Sequence, residues 1–190
     1  RGCVGDQADP ARVLPGLELG QVARAAHDLV PVLQKPFGES VADLTGADVL
    51  EIAPGLGRTA IEILAQDPRS YRGVESDEAA AAMAENVVGD RGTVTVGQAQ
   101  DTGLAADCVD VAIGEAMLTM QSDKAKSQIV NEANRVLRPG GRYAIHELAL
   151  HPDTLTDEQK TEIRKSLARS IKVNARPLTE KEWRALLTDA

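Results

Sequence analysis

From position 47 the chain alternates two hydrophobic rhythms. Short runs dense in Val, Ile and Leu, such as "DVLEIA" and "CVDVAIGE", are separated by stretches in which apolar residues recur at helical spacing, as in "QIVNEANRVL". Runs of the first kind read as buried strands and stretches of the second as amphipathic helices. The order is strand 48–53, helix 58–66, strand 71–75, helix 78–88, strand 93–97, strand 109–114, helix 122–137 and strand 142–148. Such alternation predicts an α/β fold built on a doubly wound, mostly parallel sheet.

The flanks read differently. Residues 1–16 are rich in Gly, Pro and Asp and predict an irregular arm, followed by helix-spaced apolar residues in "LELGQVARAAHDLVPVLQ" up to Pro36. Residues 1–46 are therefore expected to form an arm and helical cap, and residues 47–190 the main domain. Helix 122–137 starts on Ser122, a good N-cap, buries Ile129, Val130, Ala133, Val136 and Leu137, and stops at "RPGG". Two more helices are expected, in "DTLTDEQKTEIRKSLARSI" and in "PLTEKEWRALL", the second capped by Thr179 with Glu182 three residues on. The chain begins at Arg1 without an initiator Met and ends within a helical pattern, so it reads as a fragment truncated at its C-terminus.

Composition narrows the class. At 190 residues and 43% apolar content the chain fits one domain with a substantial core. With 21 basic against 29 acidic side chains the net charge is −8, which argues against nucleic acid or an anionic membrane as partner. No run approaches the roughly 18 apolar residues of a membrane span, and the N-terminus lacks a signal pattern. Cys3 and Cys108 set neither a zinc site nor a disulfide framework, so no metal is expected and a cytoplasmic setting fits.

The candidate chemistry lies in "VLEIAPGLGRTAIEIL", Val49–Leu64, which passes from a strand through two close glycines into a helix. Such a turn lets backbone approach a ligand, and the helix start offers unpaired N–H groups. In a doubly wound sheet ligands lie beyond the carboxyl ends of the strands. That places Glu51, Ala53, Pro54, Gly55, Leu56 and Gly57 at the first strand and Glu75, with Ser76 beside it, at the second. A carboxylate there can accept both hydroxyl hydrogens of a ribose. "GLGRTA" also satisfies the G-x-G-x-x-A form of a dinucleotide turn, so the glycines alone leave a NAD-dependent oxidoreductase open. A non-catalytic binding module on the same fold is a second alternative.

The succession "VTVGQAQDTGL", "CVDVAIGEAML" and "EANRVLRPGGRYAIHEL" separates these readings. With the glycine turn it resembles the class I S-adenosylmethionine-dependent methyltransferases of the small-molecule, type 11-like kind, over roughly residues 45–150. The resemblance implies a Rossmann-like sheet, S-adenosylmethionine as cofactor, S-adenosylhomocysteine as product and a small-molecule methyl acceptor. It puts Glu51 near the methionine part of the cofactor, Glu75 and Ser76 at the ribose, Gln98 and the Ala99 backbone at the adenine, and the Gly114 carbonyl beside the amino group and sulfonium. The family turn reads acid-x-G-x-G-x-G. Here Ala53 and Pro54 replace its first part, and Ala53 is expected to hold a negative φ. A side chain at Gly57 is expected to intrude on ligand space.

Methyl transfer needs alignment rather than an acid, whereas an acceptor that must lose a proton needs a base. His27, Glu115, His146 and Glu147 are the candidates, with His146 foremost because it ends the fifth strand. Between Lys160 and Arg176 the basic residues Lys160, Arg164, Lys165, Arg169, Lys172 and Arg176 face a single acid, Glu162. They read first as a solvated helix face and second as an attraction for an anionic acceptor. Nothing in the pattern sets an oligomeric state. The resemblance implies a seven-stranded sheet and only five strands can be counted, so "RYAIHEL" is expected at an open edge prone to association unless further sequence covers it.

Overall fold

A computed structural model describes residues 43–188 of the chain. Most of the predicted cap, including His27, lies outside the described residues. Within them the chain runs through β1 (Asp48–Ile52), α1 (Arg58–Leu64), β2 (Ser70–Glu75), α2 (Glu78–Val88), β3 (Thr93–Val96), β4 (Val109–Glu115), α3 (Asp123–Val136) and β5 (Leu137–His146). The five strands form one sheet in the order β3-β2-β1-β4-β5, every neighbouring pair parallel. The chain winds outward from β1 to β3, then returns to the other side of β1 for β4 and β5. The order reverses between β1 and β4, which opens a crevice at their carboxyl ends.

Alternation along the strands sorts the core into two layers. Val49, Tyr71, Val111 and Ile113 pack with Ala60, Ile63 and Leu64 of α1. Leu50, Ile52, Val74 and Ala112 pack on the other face with Ile129, Val130 and Ala133 of α3. This explains why Val49, Leu50 and Ile52 of β1 are apolar on both faces, in a strand whose five residues, Asp48 and Glu51 included, are all buried. Helix α3 starts where expected, the Ser122 side chain accepting from the Ala125 N–H at 3.2 Å.

The end of α3 differs from expectation. "RPGG" does not separate helix from strand; the chain is extended from Leu137, and the pairing with β4 jumps from Val109–Leu137 to Val111–Arg142. The segment is a bulge within β5. Gly140 turns it at φ +82°, and Arg138 pairs with Asp48 at 2.9 Å and Asp110 at 2.7 Å. These ion pairs tie the bulge to the amino-terminal ends of β1 and β4. The Arg69 guanidinium, aided by Ser70 and Arg138, holds the Asp48 carboxyl well below the usual carboxylate range.

Beyond β5 the chain forms β6 (Ala149–Leu150), α4 (Asp157–Ile171), β7 (Leu178–Thr179) and α5 (Glu180–Thr188), with β6 and β7 paired as a separate two-stranded sheet. Helix α4 opens with a capping box between Thr156 and Gln159. Helix α5 opens on the expected exchange, Thr179 N–H to Glu182 Oε2 at 2.8 Å and Glu182 N–H to Thr179 Oγ1 at 3.3 Å. Trp183 anchors α5 to the α3 layer and donates to the Leu148 carbonyl at 3.0 Å. Among the described residues β5 is an edge strand, and no helix is long and apolar enough to cross a membrane.

Candidate functional site

Glu51 stands on β1 with only 2% of its surface exposed. Its register partner on β2 is Gly73, where an added Cβ would come within 3.3 Å of the Tyr71 hydroxyl. The missing side chain leaves room for Tyr71 to donate to Glu51 Oε2 at 2.6 Å. Burial pushes the Glu51 carboxyl up to about 7, against the opposing effect of the Tyr71 bond and with help from the charges of Glu115 and Glu75. Burial, with the Glu51 charge and hydrogen bond added, also raises the Tyr71 phenol.

The glycine turn follows. Ala53 adopts φ +60°, contrary to the negative φ expected of an alanine. The Ala53 N–H donates to the Val74 carbonyl at 2.8 Å, extending the β1–β2 ladder into the turn and holding the residue in the left-handed region. Gly55 also lies there, at φ +56°, and nothing stands within 4 Å of where its Cβ would be. Gly57, at φ +81°, is different. A Cβ there would meet Ala84 Cα and Val87 Cβ, each at 3.1 Å, so the space beside it belongs to α2 rather than to a ligand. The expectation that a side chain at Gly57 would only obstruct a ligand is corrected accordingly.

Glu75, 7% exposed at the end of β2, ties this turn to the next. Oε2 accepts from the Gly55 N–H at 2.9 Å, and Oε1 accepts from the Ser76 and Asp77 N–H groups at 2.7 and 3.0 Å. These bonds, with one from the Ser76 hydroxyl to Oε1 at 3.3 Å, fix the carboxylate between the turn and the start of α2 and leave Oε2 a lone pair for a further hydrogen bond. At the end of β3, the neighbouring strand, Gln98 is exposed and Ala99 half-buried.

On the other side of the crevice Glu115 ends β4 opposite His146 of β5, with Oε1 3.6 Å from His146 Nδ1. The Thr59 hydroxyl, in the first turn of α1, donates to Glu115 Oε2. Gly114 precedes them; an added Cβ would come within 3.1 Å of the Tyr143 hydroxyl. Glu147, considered as a base, is instead a cap. It accepts from the N–H groups of Met117, Leu118 and Thr119 at 3.0, 2.7 and 2.9 Å and from the Thr119 hydroxyl at 2.6 Å, closing the short helical turn after β4.

Glu51, Glu75 and Glu115 thus come from three strands to one crevice, and the charges of the latter two both act on the first. With the open space beside Gly55, this set suits a ligand that carries vicinal hydroxyls and positive charge, and opposes a phosphate. Tyr71 and Thr59 escaped the sequence reading. Only the alternation that puts Tyr71, Gly73 and Glu75 on one face of β2 hinted at the first. Among the described residues no group of His, Cys, Asp and Glu could hold a metal ion.

Comparison with known proteins follows the same line. Residues 49–141 match the family model of a methyltransferase domain. A Haemophilus influenzae protein of unassigned activity is 31% identical over 147 residues, 75% of this chain and 57% of its own length. This chain therefore spans little more than half of that relative. In fold, the S-adenosylmethionine-dependent methyltransferase of Mesorhizobium loti superposes with a TM-score of 0.66 at 15% identity, over 83% of this chain and 81% of that one. Phosphoethanolamine N-methyltransferase 1 of Haemonchus contortus, solved with phosphoethanolamine and S-adenosylhomocysteine, gives 0.57 at 22% identity over 72% of this chain and 30% of that one.

Proposed function

We propose that this chain, which carries a class I S-adenosylmethionine-dependent methyltransferase domain, moves a methyl group from S-adenosylmethionine to a small-molecule acceptor in the cytoplasm. The observation that carries the reading is the convergence of Glu51, Glu75 and Glu115 on the crevice around Gly55. A cofactor with an ammonium, a sulfonium and a ribose matches this acidic, hydroxyl-accepting set. A dinucleotide would bring a pyrophosphate against the same carboxylates, which disfavours the NAD reading.

When bound, the cofactor supplies a sulfonium-activated methyl group open to in-line attack. The chain's residues do the rest by placement. Glu75 would hold the ribose through Oε2 while its own bonds to Gly55, Ser76 and Asp77 keep it rigid. Gln98 and the Ala99 backbone would border the adenine. Glu51, the Gly114 carbonyl and the backbone of the Gly55 turn would hold the amino-acid end. With the reacting atoms held in line, most of the acceleration comes from orientation. His146 takes the proton of an acceptor that must lose one, and Glu115, anchored by Thr59, steadies the resulting imidazolium.

Isothermal titration tests the reading. The chain binds S-adenosylmethionine and S-adenosylhomocysteine and does not bind NAD, and an acceptor screen detects S-adenosylhomocysteine release. Binding of NAD alone would transfer the chain to the oxidoreductases.

A further inference from the structure

The basic segment after β5 is not one solvated face. Lys160 is paired with Glu182 and Asp157 at 2.7 and 3.4 Å, and Lys165 with Glu162 at 2.7 Å. Arg169 and Lys172 are exposed. Arg164 and Arg176 are neither exposed nor neutralised: both are half-buried, and among the described residues neither guanidinium has an ion-pair partner. Arg164 Nη2 donates to the carbonyl of Pro177, next to Arg176, at 3.1 Å, while its Nε is shielded from solvent with no hydrogen-bond partner.

A third cation completes the group. Lys126 of α3 is 1% exposed; its Nζ donates to the Gln121 carbonyl at 3.0 Å and to Asp123 Oδ1 at 3.2 Å, and lies 5.9 Å from the centre of the Trp183 ring. The charges of Arg164 and Arg176 both act on it, adding to the burial that lowers its affinity for a proton. The Asp123 carboxylate that partners Lys126 is itself largely exposed. Like charges gathered in a partly desolvated place oppose one another unless an anion joins them, and guanidinium groups are suited to oxyanions.

Position ties this cluster to the crevice. The Arg176 N–H donates to the Thr119 carbonyl at 2.7 Å. Thr119 belongs to the turn capped by Glu147, whose neighbour in sequence is His146. We infer that Arg164, Arg176 and Lys126 form an oxyanion subsite, which holds a carboxylate or phosphate at the far end of the methyl acceptor while its reacting atom points towards His146. The inference rests on the methyl-transfer reading: it makes the acceptor a small molecule with an anionic tail.

Trp183, the only tryptophan in the chain, reports on the cluster through Lys126. Inorganic phosphate and acetate are titrated separately against Trp183 fluorescence, with sodium chloride at matched ionic strength as reference. A saturable change beyond that of chloride is expected, weakened about tenfold or more by Arg164→Gln or Arg176→Gln, the scale of one charged hydrogen bond, and unmoved by Arg169→Gln. The anion that saturates first identifies the tail. If Arg164→Gln loses its circular dichroism spectrum, Arg176→Gln decides alone, because the bond of Arg176 to Thr119 runs through backbone. A response equal to that of chloride, or one that survives Arg176→Gln, overturns the subsite. In the S-adenosylhomocysteine-release assay, Arg176→Gln raises KM for carboxylate- or phosphate-bearing acceptors about tenfold and leaves KM for S-adenosylmethionine unchanged. Turnover confined to acceptors without an anion overturns the assignment to the acceptor. Absence of S-adenosylmethionine binding in the unsubstituted chain would instead defeat the methyl-transfer reading, whatever phosphate does.

Discussion

Tyr71 donates its hydroxyl hydrogen to Glu51 Oε2 across 2.6 Å, beneath the glycine turn, where Glu51 is 2% exposed. The Glu51 carboxyl rises from an ordinary 4.5 to about 7 on folding, so between those values the folded chain holds a proton that the unfolded chain has released. The unfolded state then binds fewer protons, and stability falls as pH rises through this window and levels off above it. At 1.36 kcal/mol per unit the loss is about 3 kcal/mol. Glu51→Gln keeps a polar partner for Tyr71 and removes the titration. The difference between the two proteins in urea midpoint, measured from pH 4.5 to 8, should therefore grow in favour of the variant. A difference that stays constant across the window would show that Glu51 keeps its ordinary carboxyl affinity. Tyr71→Phe removes a bond that favours the charged form and should move the step to higher pH.

Ala53 at φ +60° offers a second test. An L-residue in the left-handed region costs about 1–2 kcal/mol, from which the greater flexibility of an unfolded glycine subtracts about 0.4–1. Ala53→Gly should stabilise the fold by about 0.5–1 kcal/mol, seen as a higher denaturant midpoint at unchanged slope. A lower midpoint would mean that the alanine methyl makes packing contacts worth more than the backbone strain.

The strands and helices were legible because each carries its own period, and the crevice was legible because parallel strands deliver their carboxyl ends to one side. Glu51, Glu75, Glu115 and His146 could be placed by counting to the end of a strand. What escaped depends on register and on distant partners. The bulge at "RPGG" is held by Arg138 against Asp48, far back in the chain. The φ of Ala53 follows a hydrogen bond to Val74 that local preference does not contain. Glu147 reads as a base in the sequence and is a cap in the structure, and Arg164 and Arg176 read as solvated, whereas both are half-buried and their charges act on Lys126 of α3.

Glu75 carries the cofactor test. Glu75→Ala removes the acceptor proposed for the ribose and also the oxygen that binds the Gly55 N–H. Loss of hydrogen bonds to a charged group should weaken S-adenosylmethionine and S-adenosylhomocysteine alike by about 1.5–3 kcal/mol. Calorimetry measures both, with circular dichroism to show that the sheet persists. Equal affinity in variant and parent would exclude Glu75 from the ribose site.

His146 and Glu115 answer for the proton. They face each other from β5 and β4 with Nδ1 and Oε1 3.6 Å apart, Thr59 restrains the carboxylate from the far side, and the proposal makes the first the base and the second its electrostatic partner. His146→Asn keeps hydrogen-bonding capacity but cannot take up a proton, so kcat should fall by about 100-fold or more, the contribution usual for a positioned base, while cofactor affinity changes little. Glu115→Gln keeps the imidazole in place and removes the carboxylate that steadies the imidazolium formed during turnover, so its effect on kcat should be smaller. Thr59→Val, which frees the carboxylate without deleting it, should lower kcat less than either. Rates of S-adenosylhomocysteine release at saturating cofactor separate these roles: kcat falls most in the His146 variant, less in the Glu115 variant and least in the Thr59 variant. A His146→Asn kcat that matches the parent would make the histidine a structural residue of the strand end, and the acceptor one that reacts without surrendering a proton to the protein.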